Sequence, residues 1–211
     1  QTVLANEQVL SDGTSERSGG KVVQKPLKQW FFKITDYAEQ LLNFNNLNWP
    51  TKTIAMQKNW IGKSIGAEIK FKIVDSDKSL NVFTTRPDTI YGATYMVVSP
   101  EHPCLYDFVK SDCSEEIKVY TKTASNKSEL QRIDLEKDKT GVFTGSFAIN
   151  PINKTKVPIW VADYVMMGYG TGSVMAVPAH DNRDYKFAKK YNIQIIKVVS
   201  GQGKESDELF K

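Results

Sequence analysis

The stretches GAEIKFKIV (66–74) and NVFTT (81–85) alternate apolar and polar residues. A period of two is the mark of a half-buried strand, and it places Ala67, Ile69, Phe71 and Ile73 on one face. Downstream, ATYMVVS (93–99) reads as a buried strand ending at Pro100. Residues 101–140 are charged and helix-prone, with an interruption at 125–128. The β pattern returns in GVFTGSFAIN (141–150) and KVPIWVADYVM (156–166), followed by a glycine-rich turn and short strand in GYGTGSVMAVPAHD (168–181). DYKFAKKYN (184–192) predicts a short helix and IQIIKVV (193–199) a closing strand. Upstream, PLKQWFFKITDYAEQLL (26–42) has apolar residues at helical spacing behind Pro26, which predicts an amphipathic helix needing a partner for its aromatic stripe. NFNNLNWP (43–50) then breaks the pattern. The reading is a mixed, strand-rich α/β domain over 51–211 behind a short helical lead-in over 1–50.

The 211 residues are 40% hydrophobic and 25% charged, as in ordinary soluble globular proteins. No apolar run approaches the ~18 residues that span a bilayer, and QTVLANEQVL lacks the parts of a signal peptide, so a cytoplasmic setting is expected. Cys104 and Cys113 are not a C-x-x-C pair and read as free thiols. His102 and His180 are the only histidines, too few for a His-rich metal site. A net charge of +4 permits a polyanionic partner without requiring one.

Some motifs fail on inspection. Gly62-Lys63-Ser64 ends like a phosphate-binding loop, but Gln57 stands where its first glycine is needed. Gly170-Thr171-Gly172-Ser173 is not a G-x-S-x-G nucleophile elbow, and no Asp–His pairing is evident for the serine. A serine hydrolase, a nucleotidase and a zinc enzyme are all disfavoured.

Two stretches carry chemistry. In VFTTRPDTIYG (82–92) a strand end runs into Arg86, Pro87, Asp88 and Thr89. Proline presets a turn and Asp or Thr bonds the local backbone, so a well-made strand end accounts for it. Equally, hydroxyls at a strand terminus suit a small polar pocket for a carbonyl, a ribose hydroxyl or water. In GYGTGSVMAVPAHDNRDY (168–185), Met175 and Val177 lie two apart and share a side of a strand. Asp181 and Asp184 open a helix that closes with Lys189 and Lys190, an arrangement explained by capping and dipole compensation worth about 1–2 kcal/mol. The alternative is a carboxylate offered by Asp184 to a ligand ammonium group. Hydroxyls, an apolar wall and one isolated carboxylate fit an amino acid carried as an ester.

TTRPDT (84–89) and GTGSVMAVPAHDNRDYKFA (170–188) resemble the editing domain inserted into bacterial-type leucyl-tRNA synthetases, and QTVLANEQV, LKQWFFKITDYAEQLL and MQKNWIGKSIGAEI resemble the segments that precede it. The resemblance implies a barrel-like β core with peripheral helices. It also implies post-transfer editing: hydrolysis of isoleucyl, norvalyl or methionyl esters of tRNA(Leu) while leucine is excluded. A second sieve is needed because near-isosteres differ by only about 1–3 kcal/mol in a synthetic pocket.

By resemblance, Thr89 blocks leucine's branched side chain and Asp184 holds the α-ammonium. Thr84, Thr85 and Arg86 line the scissile ester and terminal adenosine. Met175, Val177 and Tyr169 shape the pockets, with His180 and Asp181 nearby. The implied chemistry is attack by a positioned water, with no covalent intermediate, no metal and no assigned general base. The implied partners are the tRNA(Leu) acceptor end and the rest of a synthetase chain, with no membrane and a monomeric state. No cofactor is expected: ATP and Mg serve a synthetic site whose HIGH and KMSKS signatures are absent. Many relatives carry a zinc-binding cysteine cluster where this chain has SDGTSERSGG (11–20), so that site is expected to be lost. The alternative function is a catalytically silent domain that binds the acceptor end.

Overall fold

The computed structural model describes residues 2–23, 28–127, 131–132, 139–168 and 170–199. The chain divides into two compact units, residues 1–65 and 66–211.

In the first unit, residues 11–20 form a turn-rich loop flanked by isolated bridges between Val9 and Ser15 and between Thr14 and Lys21. Asp12 Oδ1 accepts from both the amide and the hydroxyl of Thr14 (3.0 and 2.6 Å). With neither thiol nor imidazole between 11 and 20, the donor set does not fit zinc. Among its described residues, the lead-in predicted as an amphipathic helix is helical only in short 3-10 turns, Ile34–Tyr37 and Gln40–Leu42, and residues 28–33 are irregular. Such a helix draws most of its stability from burying its stripe. Here Trp30, Phe31 and Phe32 are almost fully exposed, so that stabilisation is missing. A helix not read from the sequence, α1 (Thr51–Ile61), follows Pro50 and ends on Gly62 in the left-handed conformation.

The second unit is built on one mixed six-stranded sheet. Its strands are β1 (Ala67–Ile73), β2 (Ser79–Thr84), β3 (Tyr95–Val98), β4 (Gly141–Ile149), β5 (Lys156–Ala162) and β6 (Ser173–Ala176). They lie in the order β2-β1-β4-β5-β3-β6, with β3 parallel to β5 and the other pairs antiparallel. The alternation in 66–74 does what it predicts: Phe71 and Ile73 are buried and Lys70 and Lys72 exposed. β3 is buried throughout, and its two faces feed different clusters. Met96 and Val98 join Phe71, Val82, Ile90, Ile159, Met175 and Val177, on which Ile117 of α2 (Ser114–Ser125) packs. Tyr95 and Val97 join Ala162, Val165, Ala176, Phe187 and Ala188 beneath α3 (Asn182–Lys190). The Phe187 ring stacks on Tyr95 at 5.2 Å and meets Trp160 edge-on at 5.5 Å.

The sheet is not closed, so its likeness to a barrel is loose. Its edge strands β2 and β6 are nevertheless bridged by side chains. The hydroxyls of Thr171 and Ser173 both donate to the Asn81 carbonyl, the latter at 2.7 Å. Residues 193–199, predicted as a closing strand, enter no strand pairing through Val199 and run as irregular chain.

Candidate functional site

The strand β2 ends at Thr84, whose Oγ1 accepts the Arg86 amide at 3.0 Å. This Thr-to-backbone bond turns the chain, and Pro87 then starts a 3-10 helix, Pro87–Gly92. Thr85 and Arg86 are exposed in the bend. The Arg86 guanidinium pairs with Asp88 (Nη2 to Oδ2, 2.9 Å), which draws the Asp88 carboxyl below its ordinary range. Thr89 is only 3% exposed, and its hydroxyl donates to the Arg86 carbonyl at 2.8 Å. With the hydroxyl committed to backbone, the methyl is the group left to meet a neighbour.

The 3-10 helix leads directly into β3. The Thr94 amide donates to Ala176 O at 3.2 Å, and Tyr95 pairs with Ala176. The start of β3 therefore lies against the end of β6, where Val177 follows. Gly92 makes the approach possible, because a Cβ there would stand 3.2 Å from Val177 Cγ1 and 2.8 Å from Val198 Cγ2.

Beyond β6, Asp181 caps α3 with Oδ1, accepting the amides of Arg183 (2.8 Å) and Asp184 (3.0 Å). Asp184 sits one turn before Phe187 and Ala188 and so faces the sheet. It is 9% exposed, and its Oδ2 accepts the Val177 amide at 2.8 Å. Burial, and secondarily the Asp181 charge, pushes its carboxyl up to about 7, against the opposing Val177 hydrogen bond. The Tyr95 hydroxyl donates to the Asp184 carbonyl at 3.1 Å.

His180 is half-buried, and its Nε2 accepts the amides of Val198 and Val199, both at 3.2 Å. Its pKa is lowered by burial first and by Arg86 next, while the Asp88 charge opposes the shift. These electrostatic couplings place the Arg86–Asp88 bend beside the His180 turn.

The β3–β6 pairing thus carries the 84–94 bend and the 175–184 segment to one end of the sheet. Met175 and Val177 are buried in the core, 9% and 6% exposed. Tyr169 lies outside the described residues. Two surface hollows, one lined by Leu42, Lys58 and Lys63 and one by Val74, Lys110 and Lys156, contain none of the site residues. Sequence reading did not find Asn150, whose buried side-chain amide donates to Ile90 O at 2.8 Å and anchors the turn bearing Thr89. Nor did it find Gly92 or Tyr95. Asn150 and Gly92 carry signals in retrospect: an amide inside an apolar stretch and a glycine at a turn's end.

The family model of the leucyl-tRNA synthetase editing domain matches residues 58–210. The chain belongs to the leucyl-tRNA synthetase editing-domain family. A leucine–tRNA ligase of Clostridium tetani (strain Massachusetts / E88) is 59% identical over 95% of this chain. The chain also superposes, with a TM-score of 0.71 and 38% identity over 98% of its length, on the crystal structure of the Agrobacterium radiobacter K84 agnB2 LeuRS–tRNA–LeuAMS ternary complex. In both cases it spans a quarter of the relative's length. For an editing domain, the mixed sheet and its flanking α3 are the frame on which TTRPDT and Asp184 are mounted.

Among the described residues no helix is long and apolar enough to cross a membrane.

Proposed function

We propose that this editing domain hydrolyses the ester joining a wrong amino acid to tRNA(Leu). One observation supports the reading above others. The Thr-rich bend and the nearly dry Asp184 carboxylate are held at the same end of the β3–β6 pair, through the Thr94–Ala176 and Val177–Asp184 hydrogen bonds.

An aminoacyl ester presents an α-ammonium, a side chain and an electrophilic carbonyl. In the reading proposed, Asp184 takes the ammonium. Low local dielectric strengthens that pairing, and an arriving cation favours the ionised carboxylate. Thr89, its hydroxyl turned to backbone, sets its methyl against the side chain and excludes leucine, while isoleucyl, norvalyl and methionyl groups are accepted. Thr84, Thr85 and Arg86 orient the ester and terminal adenosine. Met175, Val177 and Tyr169 shape the pockets, and Asp181 and His180 hold the surrounding backbone. Water adds to the carbonyl carbon, the tetrahedral oxyanion collapses, and the ester C–O bond breaks to give a free amino acid and the ribose hydroxyl. Orientation and electrostatic stabilisation carry the rate, with no cofactor assigned to the step.

The acceptor end of tRNA(Leu) and the remaining three quarters of a ligase chain are the partners proposed, with ATP and Mg serving only the synthetic site of that longer chain. The domain is taken to act as a monomer in the cytoplasm.

The direct test is deacylation of isoleucyl- or norvalyl-tRNA(Leu), with leucyl-tRNA(Leu) as control. The parent chain is expected to cleave the first two and spare the third. Thr89→Ala is expected to cleave leucyl-tRNA(Leu) as well, a change of tenfold or more. A Thr89→Ala protein that still spares the leucyl ester removes the sieve assignment, and an Asp184→Ala protein as active as its parent removes the clamp.

A further inference from the structure

We propose that Arg132 is a positioning residue for the substrate pocket, its guanidinium fixing both ends of the glycine-rich connection that runs from Val165 to Ser173. The kinetic consequence rests on the editing reading above; the structural one does not.

Arg132 is 9% exposed, and its charge is fully engaged. Its Nε donates to the Asp163 carbonyl at 2.6 Å and its Nη2 to the Val165 carbonyl at 3.1 Å. The same fork binds the Glu101 carboxylate, Nη1 to Oε1 at 2.7 Å and Nη2 to Oε2 at 3.1 Å. Asp163 and Val165 stand where the chain leaves β5 for the glycine-rich connection. Lys127 reinforces that end through its 2.5 Å ion pair with the Asp163 carboxylate.

Glu101 belongs to the other end. Its Oε2 accepts the Ser99 hydroxyl at 2.6 Å, and the Ser99 amide donates to the Gly172 carbonyl at 2.9 Å. One planar cation therefore ties the entry of the connection directly and its exit through Glu101 and Ser99. Gly172 is the pivot of that exit, with φ +73° and the Met167 sulfur occupying the space a Cβ would need. The next residue starts β6, which leads through Met175 to Val177 and the amide that holds Asp184. A shift at Gly172 reaches the carboxylate through the Val177 amide, five peptide units further along the chain.

Arginine suits this duty because its five donors lie in a rigid plane, whereas lysine offers one point charge on a flexible stem. The bonds to two carbonyls and one carboxylate hold a particular backbone geometry, a use for which buried ionic groups are retained in some proteins.

The test is Arg132→Lys, which keeps the charge and removes the fork, with Glu101→Gln as a gentler second variant that keeps an acceptor for Ser99. Two readouts are taken: deacylation kinetics on isoleucyl-tRNA(Leu), and amide hydrogen exchange of Ser99 and Val165, whose N–H groups donate to Gly172 O (2.9 Å) and Ala162 O (3.3 Å) at the two ends of the connection. Arg132→Lys is expected to raise KM roughly tenfold with kcat within about twofold, since pocket geometry is disturbed and the reacting groups are retained. Exchange at these two amides is expected to rise at least tenfold while Met96, Val97 and Val161 in the core keep their protection. Glu101→Gln is expected to show the same pattern at smaller size. Unchanged KM and unchanged exchange in both variants overturn the proposal. Exchange that rises equally in the core overturns it too, since Arg132 then serves the whole fold. If the parent chain cleaves no ester, the editing reading falls, and the exchange pattern alone decides whether Arg132 fixes the connection.

Discussion

Asp181 and Asp184 stand three residues apart at the start of α3, yet they do different things. Asp181 spends its carboxylate on two helix amides, the capping duty that the spacing already suggests. Asp184 turns its carboxylate to the Val177 amide, and burial lifts its carboxyl from 3.8 to about 7. A carboxyl raised on folding binds more protons in the native than in the unfolded state between those two values. Stability from this group is therefore fully present below about pH 4 and is lost as pH rises through 7. Asp184→Asn removes the titration. Its unfolding free energy relative to the parent is expected to grow by something on the order of 2–4 kcal/mol between pH 4 and pH 8. Chemical denaturation at both pH values measures this, and a difference that stays constant contradicts the assigned burial. The sequence places both acids at a helix start but cannot tell them apart, because the distinction depends on where the end of β6 falls. His180 shows the same limit. Resemblance sets it near the site, and the structure adds that its Nε2 is an acceptor for two backbone amides of residues 198–199. An imidazole so engaged is held neutral and ties down the chain after α3.

At the scale of elements, local pattern was sufficient for the strands of the sheet and for the helix that flanks it. Strands β1, β2, β4 and β5 follow their alternation, β3 its continuous apolar run, and α3 is framed by its cap and by Lys189 and Lys190 in its last turn. Asp181→Ala is expected to cost about 1 kcal/mol at neutral pH, read as a lower urea midpoint with unchanged m. No change in midpoint contradicts the capping role. Three elements went differently. The stripe of residues 26–42 has helical spacing, but Trp30, Phe31 and Phe32 find no cover and only 3-10 turns form in its described part. Helix α1 lacks a buried face, so periodicity was silent; Pro50 before it and Gly62 after it were the readable signals. IQIIKVV has the composition of a strand, yet His180 side-chain bonds hold its end where a neighbouring strand was expected.

For the molecule as a whole, the strand order was the part beyond reach of the sequence. Nothing local says that β3 should lie parallel to β5 and antiparallel to β6, yet that choice brings TTRPDT and Asp184 to one end of the sheet. Family resemblance supplied the juxtaposition that periodicity does not. The same arrangement explains why residues far apart in sequence cooperate. Asn150 secures the turn of Thr89, Gly92 lets that turn approach Val177, and Arg132 steadies the connection feeding β6. The most direct measurement is a crystal structure of the chain with a non-hydrolysable 3′-aminoacyl-adenosine mimic carrying norvaline. The ammonium nitrogen is expected within about 3.2 Å of an Asp184 carboxylate oxygen, with the norvaline side chain against the Thr89 methyl. A mimic seated elsewhere, or one whose ammonium turns away from Asp184, contradicts the pocket.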